Sequence, residues 1–193
     1  MKSLLVFFGV FISTVCFSRE LIFSFTPTTN SAFYYQFVSG GASPGFKSGF
    51  ITSVEYILKS NSSFSYGGSL NFQHAQVKFK PAYTGDDYLR IPKIEKASLL
   101  SSGVILQFDL KKSYMRFEPF ISYQLNKSAK SDLDDQTGLG LAFGYGKKLN
   151  LNTKLFLKVE PELRVNNIIP FVDSGWQRRL TSLGIKLGIG FIK

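Results

Sequence analysis

A chain of 193 residues with 23 basic and 13 acidic side chains, a formal net charge of +10, one cysteine and one histidine is long enough for one domain with its own core. One cysteine excludes a disulfide scaffold, and one histidine speaks against a multi-histidine metal centre. Aromatic residues make up 16% and charged residues only 19%, an unusually apolar balance for a chain of such high net charge.

The first segment has the layout of a secretory signal. Met1-Lys2 is a short basic region, Leu4–Val15 is apolar, and Cys16-Phe17-Ser18 is a tolerable cleavage site. The apolar run is shorter than the about 20 residues of a spanning helix. Val15 is large where cleavage before a lipid-carrying cysteine wants a small residue, so Cys16 is expected to leave with the signal. Residues 1–18 are thus expected to be removed and 19–193 to form the mature domain. The mature chain has 22 basic and 13 acidic residues, a net +9. Nucleic acid is set aside as a partner, because an exported chain does not meet it and the basic residues form no single run.

The mature chain then alternates. Ala32–Ser39 is the first and weakest strand candidate, with Phe33, Tyr35 and Phe37 on one face. Gly45–Lys59 and Ser63–Phe79 follow, and next Ala97–Leu110 and Tyr114–Asn126, the clearest hairpin. In that hairpin Val104, Leu106, Phe108 and Leu110 share one face, as do Phe117, Pro119, Ile121, Tyr123 and Leu125 after the Lys-Lys-Ser turn. Side chains alternate across a strand, whereas a helix would scatter these apolar positions around its axis. Thr137–Gly146, Thr153–Asn166 and Leu180–Ile192 complete eight candidates. Pro119 and Pro161 fall inside strands, where proline cannot donate to the ladder, so bulges are expected there.

Connections alternate in length. Lys59–Ser62, Lys111–Ser113 and Lys147–Asn152 are short, while Ser39–Pro44, Lys80–Lys96, Lys127–Gln136 and Asn167–Arg179 are polar and mostly longer. Short periplasmic turns, longer external loops and an even strand number describe an outer-membrane barrel. A soluble barrel would carry charges on its non-core face. Here the second face of the sixth and eighth candidates is glycine, alanine and serine, which suits a crowded lumen inside a lipid-facing wall. The expected fold is therefore all-β: an eight-stranded antiparallel up-and-down transmembrane β-barrel in the outer membrane of a Gram-negative bacterium.

The run SLLSSGVILQFDLKKSYMRFEPFISYQLNK, followed by TGLGLAFGYGKKLNLNTKLFLKVEPELRVN and SLGIKLGIGF, resembles the PorT-like group of small outer-membrane barrel proteins. The resemblance implies the barrel fold and the outer membrane. Some members assist protein secretion.

Candidates for chemistry are few. His74 lies near the outer end of the third candidate, in His74-Ala75-Gln76; barrels that deacylate lipid A carry His-x-Ser on the lipid-facing wall, and here glutamine stands where the nucleophile would be. Asp132, Asp134 and Asp135 lack the glycine and distal glutamate of a calcium loop and are expected to be a solvated acidic loop. Gly138 and Gly140 precede no helix that could hold a phosphate and read as strand glycines. No enzyme activity, cofactor or metal is expected. By parity Glu55, Asp109, Glu118, Glu160 and Glu162 point inward with Arg116, Lys158, Arg164 and Lys186, a lumen charge network close to neutral. Gly140, Gly144, Gly188 and Gly190 would make room for these long side chains. The excess positive charge falls to the ends, with Lys130, Arg178 and Arg179 expected outside against lipopolysaccharide phosphates. Three functional readings remain: an envelope-structural or protein-interaction role, including an accessory one in secretion; a narrow solute channel; and a lipid-modifying enzyme. The partners expected are outer-membrane lipid and other envelope proteins.

Overall fold

The computed structural model describes residues 19–34, 43–59, 63–80, 92–126, 133–172 and 178–193. The expected signal segment, Lys130 and Asp132 lie outside the described residues. The elements are β1 (Arg19–Tyr34), β2 (Ser43–Gly45), β3 (Lys47–Lys59), β4 (Phe64–Lys80), β5 (Lys93–Asp109), β6 (Tyr114–Gln124), β7 (Gly138–Asn150), β8 (Leu155–Pro170) and β9 (Arg178–Ile192). All pairings are antiparallel. The order runs β4-β3-β1-β9-β8-β7-β6-β5, and β4 pairs with β5 to close a ring of eight strands. The three-residue β2 continues the line of β3 past Phe46 and pairs with the outer end of β4. Among the described residues no helix is long and apolar enough to cross a membrane.

Alternation decides which side chains meet lipid. Leu21, Phe23 and Phe25 of β1 face outward, as do Leu70 and Phe72 of β4, Met115, Phe117 and Ile121 of β6, and Leu183, Ile185, Leu187 and Ile189 of β9. Their partners in alternation are buried, so the wall is apolar outside and mostly polar within. An apolar exterior around a polar interior is the inverse of a water-soluble barrel and matches a lipid solvent.

Two expectations about strands are corrected. The first strand is Arg19–Tyr34 rather than Ala32–Ser39, whose residues beyond Tyr34 lie outside the description. Between Ile22 and Ala32 its inward positions are Ser24, Thr26, Thr28 and Asn30, and outward Thr29 and Ser31 interrupt the apolar series between Pro27 and Phe33, so neither face of its outer half stands out as apolar. The expected bulges at Pro119 and Pro161 do not form. Pro119 pairs with Leu141 and Pro161 with Ile185 in unbroken register, so each proline forfeits a donor without shifting the ladder. The irregularity instead lies between β7 and β8 near Leu139 and Leu141, opposite Asn167, which has a left-handed backbone at φ 55°. Asparagine tolerates that conformation better than most residues.

Candidate functional site: the sealed lumen

The interior is built in layers along the barrel axis. At the outer mouth Ala32, Ala75, Val77, Phe79, Ala97, Leu99 and Leu180 form an apolar cluster with Leu133, which the β6–β7 connection inserts from above. Side-chain and backbone bonds hold that connection down. The Asp134 carboxylate accepts the backbone N–H of Arg178, and Gln136 Nε2 donates to the Arg178 carbonyl at 2.8 Å. Gln136 Oε1 accepts the Leu180 N–H at 2.8 Å. Burial pushes the Asp134 carboxyl above its ordinary pKa, while the Arg178 N–H and the Arg178 and Arg179 guanidiniums pull it back down.

Below this lies a layer of amides and hydroxyls. Gln73 Nε2 donates to Ser182 Oγ at 2.7 Å, Ser182 Oγ donates to Asn30 Oδ1 at 2.6 Å, and Asn166 Nδ2 reaches Gln73 Oε1 at 3.3 Å.

The mid-lumen holds eight charges. Glu55 receives Arg116 at 2.8 Å, Lys158 at 2.8 Å and Lys186 at 3.0 Å, gathering β6, β8 and β9 onto β3. Arg116 also meets Glu160 at 3.0 Å and contacts Glu118 directly. Lys186 meets Glu162 at 2.5 Å, and Arg164 reaches Glu118 at 3.2 Å while its guanidinium lies 4.0 Å above the Phe120 ring. Tyr114 donates its hydroxyl to Glu160 at 2.7 Å, and Ser69 donates to Glu118 at 2.6 Å. Four carboxylates face four cations, and none of the eight is more than 3% exposed. Charges removed from water this completely need partners, and here every one has an ionic partner.

Glycine supplies the room. A Cβ on Gly144 would sit 2.7 Å from the Glu160 carboxyl carbon, and one on Gly190 would collide with the Phe156 ring. Gly140 likewise gives way to Phe120. Gly188 faces Ser24 and Ile22 instead, so it makes space for the opposite wall rather than for a charge.

A second apolar layer closes the periplasmic side: Ile22, Ile57, Ile105 and Phe156, with Ile192 packed against them. Lys148 spans the opening below, bound to Glu20 at 2.5 Å and lying 5.3 Å from the Phe156 ring centre. Beneath it opens a vestibule of about 590 Å³ lined by Lys59, Lys111, Lys112, Lys148, Asp109 and Glu20, among others.

Of the nine residues expected in the lumen network, eight converge. Asp109 does not. It ends β5 beyond the Ile105 layer, where its carboxylate accepts Ser65 Oγ at 2.8 Å and Gln107 Nε2 at 2.6 Å. Parity placed it inward, but its height along the strand separates it from the cluster. The expected external arginines are also relocated. Arg178 and Arg179, which open β9, are 6% and 2% exposed, and the β6–β7 connection bonds to the Arg178 backbone through Asp134 and Gln136. Arg178 lies 5.3 Å over the Phe79 ring inside the mouth. Neither presents its charge to lipid. The amide layer, Tyr114 and both apolar layers were missed. Their signal was available in the inward parity of Gln73, Asn166, Ile57 and Ile105, but only strand register shows that they meet.

On the outer wall, His74 Nδ1 lies 3.1 Å from Ser98 Oγ across the β4–β5 ladder. The serine absent from the local His-x-Ser position is thus supplied by the neighbouring strand. Among the described residues no carboxylate bonds to the ring to orient it as a base.

No protein-family model matches the chain, and no curated protein matches it in sequence. Solved structures do match. The outer membrane protein OprG from Pseudomonas aeruginosa is 11% identical with a TM-score of 0.56, over 91% of this chain and 96% of that one. The outer membrane protein AlkL, solved in lipid bilayers, is 13% identical with a TM-score of 0.51, over 90% of each chain. Identity this low speaks for the fold. The chain has the eight-stranded β-barrel fold of these outer-membrane proteins, without a family match to the PorT-like group.

Proposed function

We propose that this protein is a non-enzymatic envelope barrel, closed to solutes, that works through contacts made at its ends. The observation carrying this reading is the lumen: a neutral cluster of eight buried charges held between two apolar layers. An aqueous path would have to cross both apolar layers and break the ion pairs between them, and eight strands leave a bore only wide enough for side chains. The periplasmic vestibule supports a protein-binding role. Lys59, Lys111 and Lys112 are exposed around it, while its carboxylates are engaged, Glu20 by Lys148 and Asp109 by Ser65 and Gln107. An acidic segment of another envelope protein suits that surface. The likeness to the PorT-like group favours a partner in protein secretion.

Two measurements test this. Purified protein in a planar bilayer should show no steady conductance; a stable single-channel current would overturn the closed reading in favour of a narrow channel. Photo-crosslinkers placed at Lys59, Lys111 and Lys112 in intact cells should capture a discrete partner, and capture of lipid alone would refute the protein-contact reading. Purified protein should also hydrolyse no ester-linked lipid; a hydrolysis that Ser98→Ala abolishes would promote the enzyme reading.

A further inference from the structure

We propose that the outward face of β4 and β5 above the membrane is a binding surface for a phosphorylated glycolipid of the outer leaflet, with Lys78, Lys80 and Lys96 as its cations. The surface is set by where the apolar belt ends. Outward positions of β4 read Phe64, Tyr66, Gly68, Leu70 and Phe72, then change to His74, Gln76, Lys78 and Lys80. On β5 they read Phe108, Leu106, Val104, Ser102 and Leu100, then Ser98, Lys96 and Ile94. The two changes fall side by side, since Phe72 pairs with Leu100, His74 with Ser98 and Gln76 with Lys96. From Phe64 to Phe72 the strand rises roughly 26 Å along its axis, or about 20 Å of height at a tilt near 40°, close to the apolar band of such barrels. His74 and Ser98 therefore stand at the lipid headgroups. Lys96 lies about 10 Å above the last apolar level and Lys78 about 15 Å, the zone of phosphate-bearing sugars.

Charge complementarity names the occupant. Beyond Phe72 and Leu100 the outward positions carry three lysines and no carboxylate. Among the described residues of β4 and β5 beyond that level the acid is Glu95, turned inward and paired with Lys93 at 2.5 Å. Lys80 and Lys96 are exposed and Lys78 half-buried, and none of the three has an ionic partner among the described residues. The scaffold beneath is held in place: Asn126 accepts the Ser98 N–H at 2.5 Å and donates to the Lys96 carbonyl at 2.9 Å where the β5–β6 ladder ends. Among the described residues β4 and β5 run 17 residues each, long enough to carry the lysines above the bilayer surface. A ligand with several phosphates on a rigid sugar core, anchored by acyl chains against Leu70, Phe72 and Leu100, meets both halves of this surface at once.

The test uses the full barrel in neutral detergent micelles doped with bis-phosphorylated lipid A, or with the same lipid stripped of phosphate. Retained lipid per barrel is titrated for the wild type, for Lys78→Gln/Lys80→Gln/Lys96→Gln, and for Lys147→Gln/Lys154→Gln/Lys193→Gln at the opposite end, which removes the same charge. Circular dichroism confirms that each variant is folded. The outer variant should bind the phosphorylated lipid about a hundredfold more weakly, the other should match the wild type, and the stripped lipid should bind all three weakly. Equal loss in both variants, no loss in the outer one, or equal wild-type binding of the stripped lipid overturns the proposal.

Discussion

Replacing Arg116 with methionine isolates the energetics of the lumen. The Arg116 guanidinium touches Glu55 at 2.8 Å, Glu160 at 3.0 Å and Glu118 directly, with Glu162 at 3.9 Å. Methionine keeps much of the volume but leaves four carboxylates against three cations in a region screened from water on both sides. Stranding one buried charge in this way costs about 3–5 kcal/mol. Arg164→Met is the internal control. It leaves the same four-to-three imbalance, but its nearest carboxylate, Glu118 at 3.2 Å, keeps Arg116, Ser69 and Asn71, so a smaller loss of about 1.5–3 kcal/mol is expected. Adding Glu118→Gln to Arg116→Met restores neutrality and should recover about 1–3 kcal/mol. Reversible urea unfolding in lipid vesicles, followed by far-ultraviolet circular dichroism, measures all three. A cost below about 1 kcal/mol for Arg116→Met, or a double variant no more stable than the single one, would refute the claim that these charges are buried and interdependent.

Other substitutions probe the layers around the charges. Gly144→Val drives a side chain into the Glu160 carboxyl 2.7 Å from its Cβ and should cost at least about 1–3 kcal/mol in the same unfolding assay. Asn167→Ala loses both a residue suited to φ 55° and the 2.6 Å bond from Nδ2 to the Asp135 carbonyl, so about 1–2 kcal/mol should go; Asn167→Gly should regain the backbone part alone. Leu133→Asp places a carboxylate in the outer apolar cluster, which should expel the β6–β7 connection and make it sensitive to limited proteolysis while the barrel stays intact. Protection equal to the wild type would contradict the inserted position of Leu133.

How much of this could be read from the chain depends on what each inference needed. Parity needs only the strand itself, and it placed Glu55, Arg116, Glu118, Lys158, Glu160, Glu162, Arg164 and Lys186 inward without any knowledge of neighbours. Height along the axis needs strand ends and register, which is why Asp109 was grouped with charges it never meets. Arg178 and Arg179 differ from expectation for a related reason: they open β9 rather than close a loop, and the β6–β7 connection bonds to the Arg178 backbone, which a single strand's pattern does not reveal. β1 escaped because its lumen face between Ile22 and Ala32 is serine, threonine and asparagine, so alternation there has little contrast. The proline positions misled by an argument drawn from open sheets; in a closed ring each proline still has neighbours on both sides to hold its register.

The way Glu55 collects cations from three separate strands bears on how the ring comes together. Glu55 stands on β3, while its partners come from β6, β8 and β9, so the cluster cannot assemble within any one hairpin. Pairs such as Lys186–Glu162 can form within the β8–β9 hairpin, but until the last edges join Glu55 has water rather than its three cations. A wall joined two residues out of step would keep every apolar group facing lipid, because parity survives such a slip. It would nevertheless displace Glu55 along the strand from its three cations by about 7 Å. Lipid contact alone cannot tell the two arrangements apart. The interior charges can, and so they act as a proofreading device for closure.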